Sequence, residues 1–319
     1  MATLDPSTPK SFADKLQSVP KPVLYLVLFL AAGLPLFFPV KLPNKPIDAS
    51  IDFYAQLMKV PDGSKVLIQS DWTNSTRGES MGEMEALLKI LMRKKIKFVY
   101  YTVADPQSPQ VARDTIRKVA DGEAKAGGYR YKPFEDYVGL GYFPNAEGTA
   151  SSINNKFLSI CEGKKDWPEN SPPRDVMKSP VLQGVKSVAD FKFLILVTAS
   201  STNTVVLERI TKAPLLFMVT GVMVPENTTY YASGQVKGLC GGVKGVYDLE
   251  TMMEDGVNVE GPHKVVSEKY SEVIPGFPGK PNEGKGTAYY PSLHFALFLL
   301  IVAVITGNHG MFLSKRKAR

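Results

Sequence analysis

The feature that most constrains this fold is a series of short apolar segments that alternate with helical patterns. Each segment is a nearly continuous apolar run, which is typical of a buried strand, and the segments occupy residues 64–69, 96–103, 137–143, 191–198 and 215–220. Apolar residues with helical spacing occur at residues 78–95, 108–120, 145–160 and 203–211. This alternation predicts an α/β fold with a parallel, doubly wound sheet of the Rossmann-like or flavodoxin-like type. A mixed sheet with one antiparallel edge is the alternative.

Glycines recur every three or four positions between residues 230 and 250. They are Gly234, Gly238, Gly241, Gly242 and Gly245. On a helix they form a stripe without side chains, which predicts that another backbone packs closely against it. That backbone belongs either to this chain's own sheet or to a neighbouring helix in an assembly, so the stripe is a candidate close-packing interface.

Two apolar stretches near the ends of the chain predict transmembrane helices. Residues 22–40 contain no charged side chain, and a helix of about 19 residues nearly spans the ~30 Å hydrocarbon core of a bilayer. Residues 292–313 follow Tyr289 and Tyr290 and precede a basic tail, as expected at a membrane boundary. A cleaved signal peptide is the alternative for the first stretch, and a buried terminal helix is the alternative for the second.

The remaining segments divide the chain around these two spans. The predicted division is a polar tail at 1–21, a linker with a short amphipathic segment at 41–63, an α/β domain at 64–274, a Pro/Gly linker at 275–291 and a basic tail at 314–319.

Lysine and arginine residues beside the spans predict the orientation in the membrane. The terminal side carries Lys10, Lys15, Lys21, Lys315, Arg316, Lys317 and Arg319. The middle side carries only Lys41, Lys45, Lys280 and Lys285. This bias predicts cytoplasmic termini and an α/β domain on the extracytoplasmic side, with the inverse orientation as the alternative.

Polar residues follow the predicted strands, where parallel sheets bind their ligands. The candidate ligand-binding residues are Ser70, Asp71, Thr73, Asp105, Ser200 and Thr220. Such residues also serve as ordinary helix caps and turn formers, which is the alternative interpretation.

Motifs for catalysis and cofactor binding are missing from the sequence. No GxGxxG follows the first strand, and no GxxxxGK[ST] occurs. His263 is the one histidine of the α/β domain, and Cys240 fits a packing role better than that of a nucleophile. Cys161 and Cys240 exclude a disulfide framework but leave a single bridge open. We therefore predict no catalytic residues, no metal site and no cofactor, and we favour a protein that is not an enzyme.

The net charge of +7 does not predict a nucleic-acid partner, because the basic residues are dispersed among 31 acidic ones. The segments DYVGLGY at 136–142 and SGQVKGLCGGVKG at 233–245 resemble those of a family of prokaryotic membrane-anchored α/β proteins of unknown activity. The resemblance covers about residues 40–255 and implies a shared fold without implying an activity.

Together these features favour a non-enzymatic structural or assembly subunit of a membrane protein complex. Its expected partners are the lipid bilayer and a homo- or hetero-oligomeric membrane assembly. One alternative is a membrane-anchored module that binds or senses a small ligand. Another is a hydrolase or transferase that uses the strand-end loops.

Overall fold

The computed structural model describes residues 20–38, 40–166, 172–258 and 273–317. The chain forms two units. One is the α/β unit Asn44–Gly286, and the other combines Met1–Pro43 with Thr287–Arg319. The terminal unit contains helix α1 (Lys21–Phe37) and most of the long last helix, α9 (Lys285–Lys317).

The α/β unit is built on a six-stranded sheet in which all the strands are parallel. Its strands are β1 (Lys65–Asp71), β2 (Lys97–Thr102), β3 (Tyr137–Tyr142), β6 (Leu194–Thr198), β7 (Leu215–Val219) and β8 (Val236–Gly241). Their order is β3-β2-β1-β6-β7-β8, so the chain winds outward from β1 to one edge and then from β6 to the other. This is the strand order of a Rossmann-like fold and confirms the predicted α/β class.

Helices cover both faces of the sheet. They are α2 (Asp48–Lys59), α3 (Arg77–Arg93), α4 (Ser108–Lys125), α5 (Ala146–Cys161), α6 (Thr202–Arg209), α7 (Val224–Ala232) and α8 (Gly242–Asp255). Alternate side chains of the strands enter opposite cores, as when Ile68 packs with α3 and α4 while Leu67 packs with α5. Burial on both faces explains why the strands are continuous apolar runs.

Two short antiparallel pairs lie outside the main sheet. Strand β4 (Lys165–Asp166) pairs with β5 (Arg174–Asp175), within the insertion that precedes β6. Strand β9 (Val257–Asn258) pairs with β10 (Val273–Ile274). Residues 259–272, which include His263, lie outside the described residues.

The predicted glycine-striped helix is wrong. Helix α7 ends at Ala232, Gly234 turns the chain with a φ of 77°, and the next residues form strand β8. Strand β8 pairs with β7 and buries Val236, Leu239 and Cys240. Pairing with the sheet hydrogen-bonds this backbone and buries its apolar residues, whereas a helix through the same glycines would lose about 0.5–1 kcal/mol at each of them.

Helix α2 belongs to the α/β unit, although the sequence assigned residues 41–63 to a linker with an amphipathic segment. Phe53, Tyr54, Ala55 and Leu57 of this helix are fully buried. The helix packs along β8, the last strand of the sheet. The close approach of the Phe53 backbone to Gly238 places this helix directly against β8.

One described helix, over Lys285–Leu313, is long and apolar enough to cross a membrane. Its apolar side chains are uncovered, with Phe298, Leu300 and Ile305 exposed by 65%, 60% and 60%. Helix α1 is also apolar but has only 17 residues. Helix α9 begins at Lys285, so the last part of the predicted 275–291 linker is helical.

Candidate functional site

The candidate ligand-binding residues at the ends of β1, β6 and β7 come together at one edge of the sheet. Asp71 at the end of β1 lies opposite Thr198 at the end of β6. The Thr220 N–H, just after β7, donates a hydrogen bond of 3.4 Å to the Thr198 carbonyl oxygen. Asp105 follows β2, the strand on the other side of β1. The topology thus assembles the predicted set, as expected for parallel strands.

Asp71 is only 1% exposed, and the protein itself uses both of its carboxylate oxygens. Oδ1 accepts hydrogen bonds of 2.9 Å from the Thr102 hydroxyl and of 2.9 Å from the Val103 N–H. Oδ2 accepts a hydrogen bond of 2.6 Å from the Gln69 side-chain amide. Asp71 therefore joins the end of β1 to the end of β2.

Most of the other strand-end candidates make local turn or cap contacts. The Ser200 hydroxyl lies 3.2 Å from the Thr198 hydroxyl, and the Thr73 hydroxyl lies 2.7 Å from the Ser75 hydroxyl. Asp105 Oδ1 accepts a hydrogen bond of 2.7 Å from the Gln107 N–H. These are the ordinary roles of such residues at helix starts and turns.

Ser70 differs from the other strand-end candidates. It is 1% exposed, and its hydroxyl has no hydrogen-bond partner among the described residues. Its position within β1 places it one residue before the Asp71 network. Most polar side chains at the strand-end edge are thus hydrogen-bonded within the protein, and few of them are available to a ligand.

Glycines of the predicted stripe pack against other segments of this same chain. A Cβ added to Gly238 would lie 2.5 Å from the Phe53 backbone in α2, and one added to Gly241 would lie 2.3 Å from the Val224 side chain. At Gly245 the added atom would lie 2.8 Å from the Cys240 sulfur. Gly242 has a φ of 55° and closely approaches the Gly221 backbone. Close contacts within the α/β unit therefore account for these four glycines.

Both cysteines are free and buried, so no bridge joins them. Burial raises the pKa of Cys161 to about 12, and the nearby Glu162 carboxylate adds to this shift. Burial also raises the pKa of Cys240 well above its ordinary value, and the Glu83 carboxylate reinforces this effect. Both residues are therefore thiols at neutral pH and poor nucleophiles.

A buried carboxyl group at Glu83 was missed by sequence reasoning. Glu83 is fully buried in α3, and neither of its oxygens makes a hydrogen bond of ordinary geometry among the described residues. Burial raises its pKa well above the ordinary value, the Glu79 carboxylate raises it further, and the Gly242 backbone N–H acts in the opposite direction. Glu83 is therefore most stable in its neutral form.

A cavity of about 350 Å³ lies beside the edge strand β3. It lies between the first turns of α4, the second half of β3 and the turn that precedes β4. Its lining residues are Tyr100, Pro109, Arg113, Gly139, Leu140, Gly141, Tyr142, Gly163, Lys164 and Lys165. The DYVGLGY segment thus forms one wall.

Electrostatic contacts organise the cavity wall. The Arg113 guanidinium and the Tyr100 hydroxyl lie close enough to interact electrostatically. Burial raises the pKa of Tyr100 to about 12, Asp166 contributes in the same direction, and Arg113 opposes the shift. The Lys164 ammonium lies 4.1 Å from the centre of the Phe143 ring, a cation–π contact that holds this side chain near the mouth.

A second cavity, of about 190 Å³, lies near Arg93 and Phe277. Its main charge is balanced inside the protein, because Arg93 forms hydrogen bonds of 2.9 and 2.8 Å with the two carboxylate oxygens of Glu123. Both side chains are only 5% exposed. This pair ties α3 to α4 and balances the Arg93 charge within the protein.

Sequence reasoning missed the cavity beside β3. Arg113, Lys164 and Lys165 come from segments that are distant in the sequence, and basic residues are common throughout the chain. The available signal was the Gly-Lys-Lys turn at 163–165 and the glycines of the β3 segment. The packing of α4 against β3, together with the contact between β3 and β4, brings these features together.

Comparison of the chain with protein-family models, with curated proteins and with solved structures finds no match. The resemblance of the two glycine-containing segments to a membrane-anchored family therefore stays a prediction.

Proposed function

We propose that this protein is a membrane-anchored α/β module that binds a small ligand in the cavity beside β3. The cavity carries the proposal, because its volume of about 350 Å³ lies within the range of small-molecule sites. Its wall combines apolar surface, glycine backbone and a few charged groups, which is the usual composition of such sites.

The hydrogen bonding of the strand-end residues favours a binding function over a catalytic one. A hydrolase or transferase at this edge would need a carboxylate or hydroxyl that is free to act on a substrate. Asp71 instead accepts three short hydrogen bonds from within the protein, and the Ser200 hydroxyl lies in a local cluster with Thr198 and Thr202. The strand-end loops therefore support the sheet and give little support to an enzymatic role.

Native mass spectrometry of the full chain, gently extracted in detergent, tests this proposal. We expect a small-molecule adduct on the chain. Pro109→Trp should remove the adduct, because Pro109 lines the cavity and a bulky ring at this position fills it. Pro106→Trp is the matched control, since Pro106 is exposed in the turn before the same helix and does not line the cavity.

Two outcomes would contradict the small-ligand proposal. The first is a wild-type chain without any adduct. The second is an adduct that Pro109→Trp retains as fully as Pro106→Trp does, since the molecule would then bind elsewhere.

The membrane attachment that we propose uses two spans, α1 and α9, with cytoplasmic termini and an extracytoplasmic α/β unit. The apolar composition of both helices supports two spans, and the excess of Lys and Arg beside the termini supports this orientation. A membrane-impermeant thiol label on an exposed position of the α/β unit tests the orientation.

A second candidate function is that of a non-enzymatic subunit in a homo- or hetero-oligomeric membrane assembly. The uncovered apolar side chains of α9 support it, because transmembrane helices pack against one another as well as against lipid. The same native mass measurement separates the two candidates. A mass that corresponds to several chains, or to this chain with other proteins, would favour the assembly subunit.

A further inference from the structure

We propose that the cavity beside β3 takes a small anion that carries a phosphate or carboxylate group. This inference rests on the proposed function and adds the chemical class of the ligand. Three of the lining side chains are cationic, namely Arg113, Lys164 and Lys165, and none of the lining side chains that the structure describes is acidic. Like charges around one small cavity repel one another, and a bound anion relieves that repulsion.

Two nearby carboxylates compensate only part of this charge. Asp166 and Asp114 both act on Arg113, and Asp166 also acts on Tyr100, but neither carboxylate lines the cavity. Asp114 also accepts a hydrogen bond of 2.9 Å from Gln110. Among the residues that the structure describes, neither Lys164 nor Lys165 forms an ion pair. The two ammonium groups are therefore available to an anion.

The arrangement of Arg113 suits an oxygen-rich group. Arg113 lines the cavity beside Tyr100, with which it interacts, and Tyr100 itself is only 2% exposed. A guanidinium presents several N–H groups in a planar fork, so its donors match two oxygens of a carboxylate or phosphate.

Glycines allow a ligand to approach the β3 wall closely. A Cβ on Gly139 would lie 2.6 Å from the Tyr100 ring, so this position must be glycine for the ring to lie against the strand. Gly141 has a φ of 82° and no atom within 4 Å of an added Cβ, which leaves open space on the cavity side of the strand. Three cations and an open backbone wall favour a small anion over a neutral or cationic ligand.

The test is a titration of the purified full chain in detergent with inorganic phosphate, pyrophosphate and citrate at constant ionic strength. We expect at least one anion to raise the thermal unfolding midpoint and to bind measurably by calorimetry. Lys164→Gln combined with Lys165→Gln should weaken that binding by about tenfold or more, because charged hydrogen bonds are lost. Lys178→Gln combined with Lys192→Gln is the control, since both of these lysines are exposed and neither lines the cavity.

Arg113→Lys gives a second test that keeps the charge of the cavity. It should weaken binding while the Lys164 and Lys165 contacts persist, because lysine lacks the planar fork. A stronger response to phosphate and pyrophosphate than to citrate identifies a phosphate ligand, and the reverse order identifies a carboxylate ligand.

The inference is overturned if none of the three anions shifts the midpoint, or if the Lys164/Lys165 double variant binds as tightly as the control. The adduct seen by native mass spectrometry then distinguishes failure of the anion inference from failure of the proposed small-ligand function. An adduct that Pro109→Trp removes and the double variant keeps would mean a ligand that is not anionic, with the proposed function intact. A wild-type chain without an adduct would contradict the proposed function itself.

Discussion

At the scale of single residues, Glu83 is the group whose chemistry departs most from its ordinary state. Its folded pKa is raised, so the folded chain holds a proton that the unfolded chain releases above about pH 4.5. The contribution of Glu83 to the free energy of unfolding is therefore fully present below that pH. It falls by about 1.4 kcal/mol per pH unit as the pH rises toward the folded pKa. Glu83→Gln should remove this slope, as measured by chemical unfolding over a pH series.

Glu85→Gln is the matched control for that series. Glu85 lies on the same helix but forms an ion pair of 2.7 Å with Lys118, so this variant should keep the slope. Cys240 and Glu79 also face the Glu83 carboxyl group, and both are unchanged in the two variants. Equal pH slopes in wild type and Glu83→Gln would show that Glu83 is not held neutral by burial.

At the scale of elements, the contact between α2 and β8 depends on Gly238. A methyl group at this position meets the Phe53 backbone at 2.5 Å, and a helix backbone cannot move aside as a flexible side chain can. Gly238→Ala should therefore lower the free energy of unfolding by about 1–3 kcal/mol. Denaturant unfolding of the full chain in detergent measures this change.

Gly122→Ala provides a control of the opposite sign. Gly122 lies within α4 and has no atom within 4 Å of an added Cβ, so this variant should stabilise the protein by about 0.5–1 kcal/mol. If Gly238→Ala proved as harmless as Gly122→Ala, α2 would not pack directly on β8.

The sequence was sufficient to predict those helices and strands whose local residue pattern agrees with their tertiary environment. Strands β1, β2, β3, β6 and β7 are continuous apolar runs because helices cover both faces of the sheet, and this made the α/β class predictable. Strand β8 was not predictable in this way. Its glycine spacing fits a helical stripe, and only the pairing with β7 and the contact with α2 favour the strand.

The candidate site was predictable only in part. Parallel topology brings Asp71, Ser200 and Thr220 to one edge, as the sequence indicated, but side-chain geometry decides whether their polar groups are free. The cavity beside β3 depends on the packing of α4, β3 and the turn before β4, which are separated in the chain. The hydrophobic periodicity of a sequence carries no information about contacts between segments that are distant in the chain.

At the scale of the whole molecule, an α/β unit and an apolar helix that is long enough to cross a bilayer occur in the same chain. In water, the exposed side chains of α9 would form a large apolar surface, which a soluble monomer rarely tolerates. In a lipid bilayer these apolar side chains would no longer contact water. We therefore regard membrane attachment as a part of the proposed function that can be tested independently of ligand binding.

Thiol labelling of intact cells, followed by an alkaline wash of their membranes, tests this attachment most directly. The reporter is Lys178→Cys, an exposed position of the α/β unit, and the wild-type chain is the control because Cys161 and Cys240 are buried. We predict that the chain stays in the washed membranes and that a membrane-impermeant maleimide labels the reporter in intact cells. Release of the chain into the alkaline supernatant would contradict the membrane anchor, and labelling only after lysis would contradict the proposed orientation.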